Sequence, residues 1–233
     1  MRERHGNSDQ SQRAFFGRRK GHPLRPRQAA LFDTLLPRIA IDTGKPAPAD
    51  LRSLFADAGE VRLEIGFGGA EHLIAQAKAN PRVGFIGSDA FINGVAKALA
   101  AIDADKLANV RLHFGDASEL LDWLPAGELA RIDLLYPDPW PKRRHWKRRF
   151  IQDDTLKRLA RILKPGGALR FATDIPDYAA YALARVMRSK DFEWTAERAD
   201  DWRKPWPDFA GTRYEAKAKR EGRVPNYFIF QRK

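Results

Sequence analysis

From Val61 onward the chain alternates short β-branched and apolar runs with helical stretches, and few folds accept that order. Each strand returns to the same sheet edge through a helix, which builds a mainly parallel sheet covered on both faces. The runs at residues 61–65, 83–88, 110–114, 132–136 and 169–173 read as strands with helices between them, and 226–231, with Tyr227, Phe228, Ile229 and Phe230, reads as a further buried strand. Ahead of the fifth strand, residues 155–163 place Leu156, Leu159, Ile162 and Leu163 on one helical face, and Lys164-Pro165-Gly166-Gly167 terminates that helix. At 233 residues and 43% hydrophobic content the chain has enough apolar surface for one catalytic domain, expected over 46–233. Residues 1–45 are polar, broken by Pro23, Pro26 and Pro37 and bounded by Pro46, and carry eight Lys/Arg between Arg2 and Arg27 against Glu3 and Asp9. Such a stretch is expected to be a flexible basic arm that docks on phosphates.

Charge narrows the function classes. The 42 Lys+Arg against 30 Asp+Glu, a formal net charge of +12, favour a polyanionic partner, with nucleic acid first. No apolar run has the roughly 20 residues of a membrane span, and the start of the chain has no apolar core of the signal-peptide kind, so a soluble cytoplasmic protein is expected. There is no cysteine, which removes disulfides, thiolate metal sites and cysteine nucleophiles. Five scattered histidines offer little to a metal, so none is expected, and nothing demands a protein partner.

The first strand runs into Glu64-Ile65-Gly66-Phe67-Gly68-Gly69-Ala70-Glu71. Glycines at a strand-to-helix turn let the backbone approach a ligand closely, and two cofactor classes use that geometry. A dinucleotide would need a third glycine where Glu71 stands, and that carboxylate repels pyrophosphate at a helix N-terminus. S-adenosylmethionine carries a sulfonium and no phosphate, and acidic residues at strand ends suit it. Glu64 precedes Gly66 and Gly68; Asp89 closes the second strand, where a carboxylate accepts from ribose hydroxyls; Asp116 follows the third, placed to accept from an adenine amino group. An Asp after a strand is also the commonest helix cap.

After the fourth strand, Tyr136-Pro137-Asp138-Pro139-Trp140-Pro141 holds one acid between three prolines, which stiffens the loop at low entropic cost and marks Asp138 as the catalytic candidate. Residues 142–149 then read KRRHWKRR, six Lys/Arg in eight positions with Trp146 interleaved, a pattern suited to an RNA backbone. Trp123, Trp194, Trp202 and Trp206 are expected in packing rather than as stacking platforms.

These segments resemble the bacterial tRNA (guanine-N7)-methyltransferase family. The resemblance rests on Glu64-Ile65-Gly66-Phe67-Gly68, on Pro137-Asp138-Pro139-Trp140 with Lys142 and the basic run, on Ala172-Thr173-Asp174, on Thr212-Arg213-Tyr214-Glu215, and on Phe16-Gly17-Arg18-Arg19-Lys20-Gly21. It implies a Rossmann-like, doubly wound, mainly parallel α/β sheet of the class I S-adenosylmethionine-dependent type. It also implies cofactor contacts at Glu64, Gly66, Gly68, Asp89, Asp116 and Asp138. Further implied are guanine or RNA contacts at Lys142, Asp174, Thr212, Arg213, Tyr214 and Glu215, and RNA-backbone contacts at Arg144, His145, Trp146, Lys147, Arg148 and Arg149. The usual target in the family is guanosine 46 of the tRNA variable loop. Ala70 stands where many members carry glycine, and Asp89 where many carry Glu. Methylation of an exocyclic amine, for which Asp138-Pro139-Trp140 is a partial motif match, and a non-catalytic RNA-binding module stay open as alternatives.

Overall fold

The computed structural model describes Gly17 and residues 19–233. The elements run α1 (Pro26–Thr34), α2 (Leu36–Ile39), β1 (Glu60–Ile65), α3 (Glu71–Ala79), β2 (Val83–Asp89), α4 (Ile92–Asp105), β3 (Val110–Phe114), α5 (Ala117–Trp123), β4 (Leu129–Leu135), α6 (Asp153–Ile162), β5 (Leu163–Thr173), α7 (Pro176–Val186), β6 (Phe192–Trp194), α8 (Asp200–Arg203), α9 (Arg213–Arg220) and β7 (Asn226–Arg232). The strands form a seven-stranded sheet in the order β3-β2-β1-β4-β5-β7-β6. β1 to β5 are mutually parallel, and β7 inserts antiparallel between β5 and β6. This is the Rossmann-like arrangement of class I methyltransferases. The order reverses between β1 and β4, so the crevice outside their carboxyl ends is open to a ligand.

Alternation along the strands divides the core. Val61, Leu63 and Ile65 of β1 face one side with Ile132 and Leu134 of β4, Leu169 and Phe171 of β5, and the apolar faces of α5, α6 and α7. Phe85 and Leu112 face the other side with Leu73 of α3, Val95, Leu99 and Ile102 of α4, and Leu31 and Ile39. On that second side the centre of the sheet is polar. Glu64, Asp133 and Arg170 lie on adjacent strands in register, and Arg131 precedes Asp133 by two positions on the same face.

Four local features differ from the sequence reading. Within the stretch expected to be flexible, residues 26–39 form α1 and α2, Ala40 bridges to Leu112, and Leu31, Ile39 and Ile41 are buried. The prolines start these helices instead of breaking them, because Pro26 and Pro37 occupy first-turn positions that need no N–H partner. The earlier part of that arm, up to residue 16 and Arg18, lies outside the described residues. The helix read at 155–163 spans Asp153–Ile162, and its terminator falls inside β5: Leu163 pairs with Leu129, Ala168 with Arg131, and the Lys164–Gly167 stretch bulges out with Gly166 at φ 74°. β4 begins at Leu129 and ends at Leu135, because Tyr136 has φ 51° and leaves the sheet. β6, three residues long, is too short to carry a period in sequence.

Lys106 closes α4 in the left-handed conformation at φ 53°, which costs an L-residue about 1–2 kcal/mol and a glycine little. Lys106→Gly is therefore expected to stabilise the fold by about 0.5–1 kcal/mol after its greater unfolded-state entropy is counted, read as a higher midpoint in urea denaturation.

Candidate active site

The turn after β1 is built for close approach. Gly66 and Gly68 sit at φ 69° and 56°, and a Cβ added at Gly66 would meet nothing within 4 Å. Gly66 N–H donates to the Ser88 carbonyl at 2.8 Å, tying the turn to β2. Ala70 adopts φ 64° as the N-cap of α3, its methyl buried, so alanine takes at some strain the backbone that glycine would take freely. Asp89 holds the turn from the other side, its Oδ2 accepting from Gly68 N–H at 2.7 Å and its Oδ1 from Phe91 N–H at 2.8 Å. Burial pushes this carboxyl up, against the pull of those amides. The shorter side chain of Asp thus anchors the glycine turn, and the carboxylate keeps remaining lone-pair capacity for a ligand hydroxyl.

Glu64 lies beneath the turn and not in the crevice: it is buried and 2.8 Å from His72 Nδ1. Burial opposes a charge on His72, but the Glu64 carboxylate outweighs it and raises the imidazole pKa. Asp116 caps α5, accepting from Ser118 N–H at 2.8 Å, and also lines a cleft of about 260 Å³ with Arg19, Lys20, Ala90, Ile92, Phe114 and Glu119. The Phe114 ring, 42% exposed, stands at this cleft as an apolar face that the sequence reading passed over. Arg19 and Lys20 reach it because the chain before α1 crosses the start of α4. There Ile92 N–H donates to the Arg19 carbonyl at 3.0 Å, Gly21 N–H to Asn93 Oδ1 at 2.8 Å, and Asn93 Nδ2 to the His22 carbonyl at 2.7 Å.

The loop after β4 presents Asp138 at the same sheet edge. Tyr136 and Trp140 bracket it at φ 51° and 44°. Asp138 is exposed and makes no hydrogen bond or ion pair among the described residues, and the walls around it desolvate its carboxyl enough to push its pKa up. The basic run forms a 3-10 turn over Arg143–Arg148. Lys142, Arg144 and Lys147 are exposed; His145 meets the Trp140 ring edge-on at 5.9 Å, and Arg148 lies 5.0 Å over that ring. Arg149 departs from the expectation of an RNA contact. It is 1% exposed, donates from Nε to the Pro139 carbonyl at 2.8 Å, pairs with Asp177, and lies within 5 Å of the Trp146, Tyr178 and Tyr181 rings. A guanidinium enclosed in aromatic rings holds the loop from below and is out of reach of phosphate. Trp146, half-buried against Tyr181, belongs to the same packing.

The segments far apart in sequence meet the turn through α9. Thr212 caps that helix, Oγ1 accepting from Glu215 N–H at 3.1 Å. Glu215 is buried, accepts from the Tyr227 hydroxyl and pairs with Lys219. Thr212 and Glu215 therefore shape the helix, whereas Arg213 and Tyr214 face the site, since a Cβ at Gly68 would meet Arg213 Nη2 and the Tyr214 ring, each at 3.3 Å. Asp174, at the end of β5, pairs with Arg223. Trp206 is buried, and Trp123, Trp194 and Trp202 pack against the core as expected.

Sequence reasoning missed what latches α9 in place. Asp208 accepts from Arg131 Nη1 and Arg170 Nη1, both at 2.9 Å, and Arg131 in turn donates to Asp133 at 3.0 Å and to Gln76 Oε1 at 2.7 Å. Gln76 completes the ring by donating to the Asp208 carbonyl. Burial works against the Asp208 charge, but Arg170 and Arg131 outweigh it and pull the carboxyl down to about 2. Only the alternation of Arg131 and Asp133 in an otherwise apolar strand signals this layer in the sequence. Removing Asp208, whose side chain is 40% exposed, leaves Arg131 buried but still bound to Asp133 and Gln76, so Asp208→Ala is expected to cost about 1–2 kcal/mol in urea denaturation at neutral pH. Because the folded pKa is depressed, the contribution is present above the ordinary carboxylate range and is lost as pH falls through about 2.

Comparison with known proteins agrees with this geometry. Residues 58–226 match the model of a family described as putative methyltransferase. The chain is 58% identical over 222 residues to a tRNA (guanine-N(7)-)-methyltransferase of Rhodopseudomonas palustris, covering 95% of this chain and 84% of that one. It is 57% identical over 225 residues to the protein of the same name from Bradyrhizobium diazoefficiens, covering 96% and 95%. Among solved structures it is similar in fold to the 16S rRNA methyltransferase KamB, with TM-score 0.60 at 15% identity over 81% of this chain and 94% of that one. A second fold match is TrmN from Thermus thermophilus, with TM-score 0.52 at 18% identity over 76% and 45%. With the glycine turn, the strand-end acids and the proline-held Asp138 gathered at one edge of the sheet, this chain belongs to the tRNA (guanine-N(7)-)-methyltransferase family.

Proposed function

We propose that the chain transfers a methyl group from S-adenosylmethionine to N7 of a guanosine in tRNA, with guanine 46 of the variable loop, the family's usual target, as the acceptor. The observation that carries this reading is a carboxylate unpaired among the described residues, Asp138, on a stiff loop at the same sheet edge as the glycine turn and beside the exposed cations of the basic run.

The residues present fit the cofactor. Open space above Gly66 leaves room for a ligand against the backbone, and the cleft lined by Ala90, Phe114 and Asp116 lies at the ends of β2 and β3, beside the Asp89 that holds that turn. Asp89, through its free lone pairs, would accept the ribose hydroxyls, Asp116 an adenine N–H, and the Phe114 ring would cover an adenine face. Glu64 would act from below the turn, through His72 and the start of α3. The bound cofactor supplies a methyl group already activated on a sulfonium.

Guanine N7 has an in-plane lone pair and no proton to lose, so no strong base is needed. What the chain contributes is alignment, a term that reaches several kcal/mol through proximity alone. As transfer proceeds positive charge grows on the imidazole part of the base, and Asp138, carrying no other partner, stabilises it there. Asp174 keeps one oxygen away from Arg223 and would accept from guanine N1–H or N2–H, the edge that distinguishes this base. Lys142, Arg144, Lys147 and Arg148 would follow the RNA backbone, with Tyr214 and Arg213 beside the reacting centre. N7 is reached after local extrusion of the base from the folded RNA.

Purified protein incubated with labelled S-adenosylmethionine and unmodified tRNA transcripts is expected to place label in 7-methylguanosine, and to lose it when guanosine 46 is replaced. Label in an N-methylated exocyclic amine would instead identify the amino methyltransferase alternative, and tRNA binding without label the non-catalytic one. Asp138→Ala is expected to lower kcat by about 100-fold or more while the tRNA Kd stays within about threefold, since the phosphate contacts are elsewhere. Comparable losses in both would overturn that division. A Cβ at Gly94 would stand 2.2 Å from the Gly68 carbonyl, a backbone atom that has to move. Gly94→Ala is accordingly expected to raise the S-adenosylmethionine Kd by about tenfold, or roughly 1.4 kcal/mol, with the circular dichroism spectrum preserved.

A further inference from the structure

At the end of the sheet opposite the catalytic edge, a hollow of about 420 Å³ lies between the last turns of α6, the start of β6 and the end of β7, lined by Lys157, Ala160, Arg161, Lys190, Asp191, Arg232 and Lys233. Five side-chain cations face one side-chain carboxylate, that of Asp191. Elsewhere this basic protein neutralises many of its surface cations with acidic neighbours: Arg52 with Asp50, Arg62 with Glu60, Arg158 with Asp122 and Asp154, Arg185 with Asp153, and Lys106 with Asp103. The hollow is different. Among the described residues its cations make no ion pair.

Its two arginines are instead held by backbone oxygens. Arg161 donates from Nη1 to the Leu124 carbonyl at 2.8 Å and from Nη2 to the Leu121 carbonyl, and Arg232 donates to the Leu163 carbonyl. A guanidinium fixed on neutral carbonyls keeps its full charge and has already lost much of its rotamer freedom, so an arriving anion meets a preset positive field. Lys157 and Lys190 are exposed, one on α6 and one beside Asp191.

We infer that this hollow binds a backbone phosphate of the tRNA at a distance from the reacting base, an inference that rests on the function proposed above. α6 leads to it directly from the basic run: the helix starts four residues after Arg149, and its ten residues carry the chain about 15 Å. From the catalytic edge to the hollow the sheet extends the length of β5, on the order of 20 Å, since with the bulge at residues 164–167 Leu163 to Ala172 spans only Leu129 to Leu135 of β4. The stretch between the basic run and the hollow is internally neutralised, with Arg158 and Arg185 paired to acids, so the two cationic regions are separate contacts and not one continuous stripe. An RNA fragment limited to the target loop fills only the first. A folded tRNA is large enough to reach both.

The test compares wild type, Lys157→Ala/Lys190→Ala, and a control of equal charge change, Lys45→Ala/Lys106→Ala, whose lysines are paired to Asp42 and Asp103. Binding is measured against salt with an unmodified tRNA transcript and with a short hairpin holding the same target guanosine. The hollow variant is expected to raise the tRNA Kd by about 3–10-fold and to reduce the slope of log K against log salt by about 1–2, with hairpin and S-adenosylmethionine binding unchanged. A tRNA affinity and slope equal to wild type, a change matched by the control, or an equal loss with the hairpin would each overturn the inference. Failure of the wild type to make 7-methylguanosine is a separate result, and it removes the functional reading on which this inference rests.

Discussion

The Gly94 Cα lies so near the Gly68 carbonyl that any side chain there would stand 2.2 Å from it, and that approach sets how close α4 comes to the turn between β1 and α3. The same turn is pinned by Asp89 through Gly68 N–H and by Ser88 through Gly66 N–H, and Arg213 and Tyr214 of α9 press on it from above. Three separately encoded segments, α4, the end of β2 and α9, therefore converge on the backbone of Gly66 and Gly68, which carry no side chain. A shift of a few tenths of an ångström at Gly68 would be felt at the cofactor crevice and at the RNA-facing helix together, because packed backbones transmit displacement instead of absorbing it.

What keeps α9 at that turn is electrostatic. The second face of the sheet is apolar under α4 and polar under the segment that ends in Thr212, where Arg131, Asp133, Gln76, Arg170 and Asp208 are linked by hydrogen bonds, with Asp133 Oδ1 and Arg170 Nε left unpartnered among the described residues. A hydrophobic layer there would be as stable or more so, since burying charges costs several kcal/mol before their attraction is counted. The polar layer has directionality that an apolar one lacks. Asp208 meets Arg131 and Arg170 in one register only, so the helix that follows is delivered to one place. The Arg149 cluster under the proline loop works in the same way, trading desolvation for a fixed position of Asp138.

Much of this was legible in the chain. The order of strands and helices from Val61, the glycine turn, the acids at three strand ends and the proline-held Asp138 all follow from period, turn chemistry and residue type, which act within a few residues. The reading failed where meaning depended on partners distant in sequence. Arg148 and Arg149 are adjacent and chemically identical, yet one lies over Trp140 at the surface and the other is enclosed by Trp146, Tyr178 and Tyr181. Thr212 and Glu215 read as contacts and are a helix cap and a buried acceptor, while the two residues between them face the site.

By itself the sequence determined the parallel sheet, the edge at which its strands end, and the chemistry gathered there, because hydrophobic period and glycine or proline conformation are local properties of the chain. Tertiary structure decided which of those residues are free. Asp138 is left without a partner among the described residues; Asp89 and Asp116 are shared with backbone amides, and Glu64 is given to His72. It also decided which cations make no ion pair among the described residues, Lys142, Arg144 and Lys147 of the basic run and those of the hollow beyond α6. The physical reason is that an ionisable side chain has the same intrinsic chemistry wherever it stands, whereas its desolvation and its partners are set by elements that only folding brings beside it.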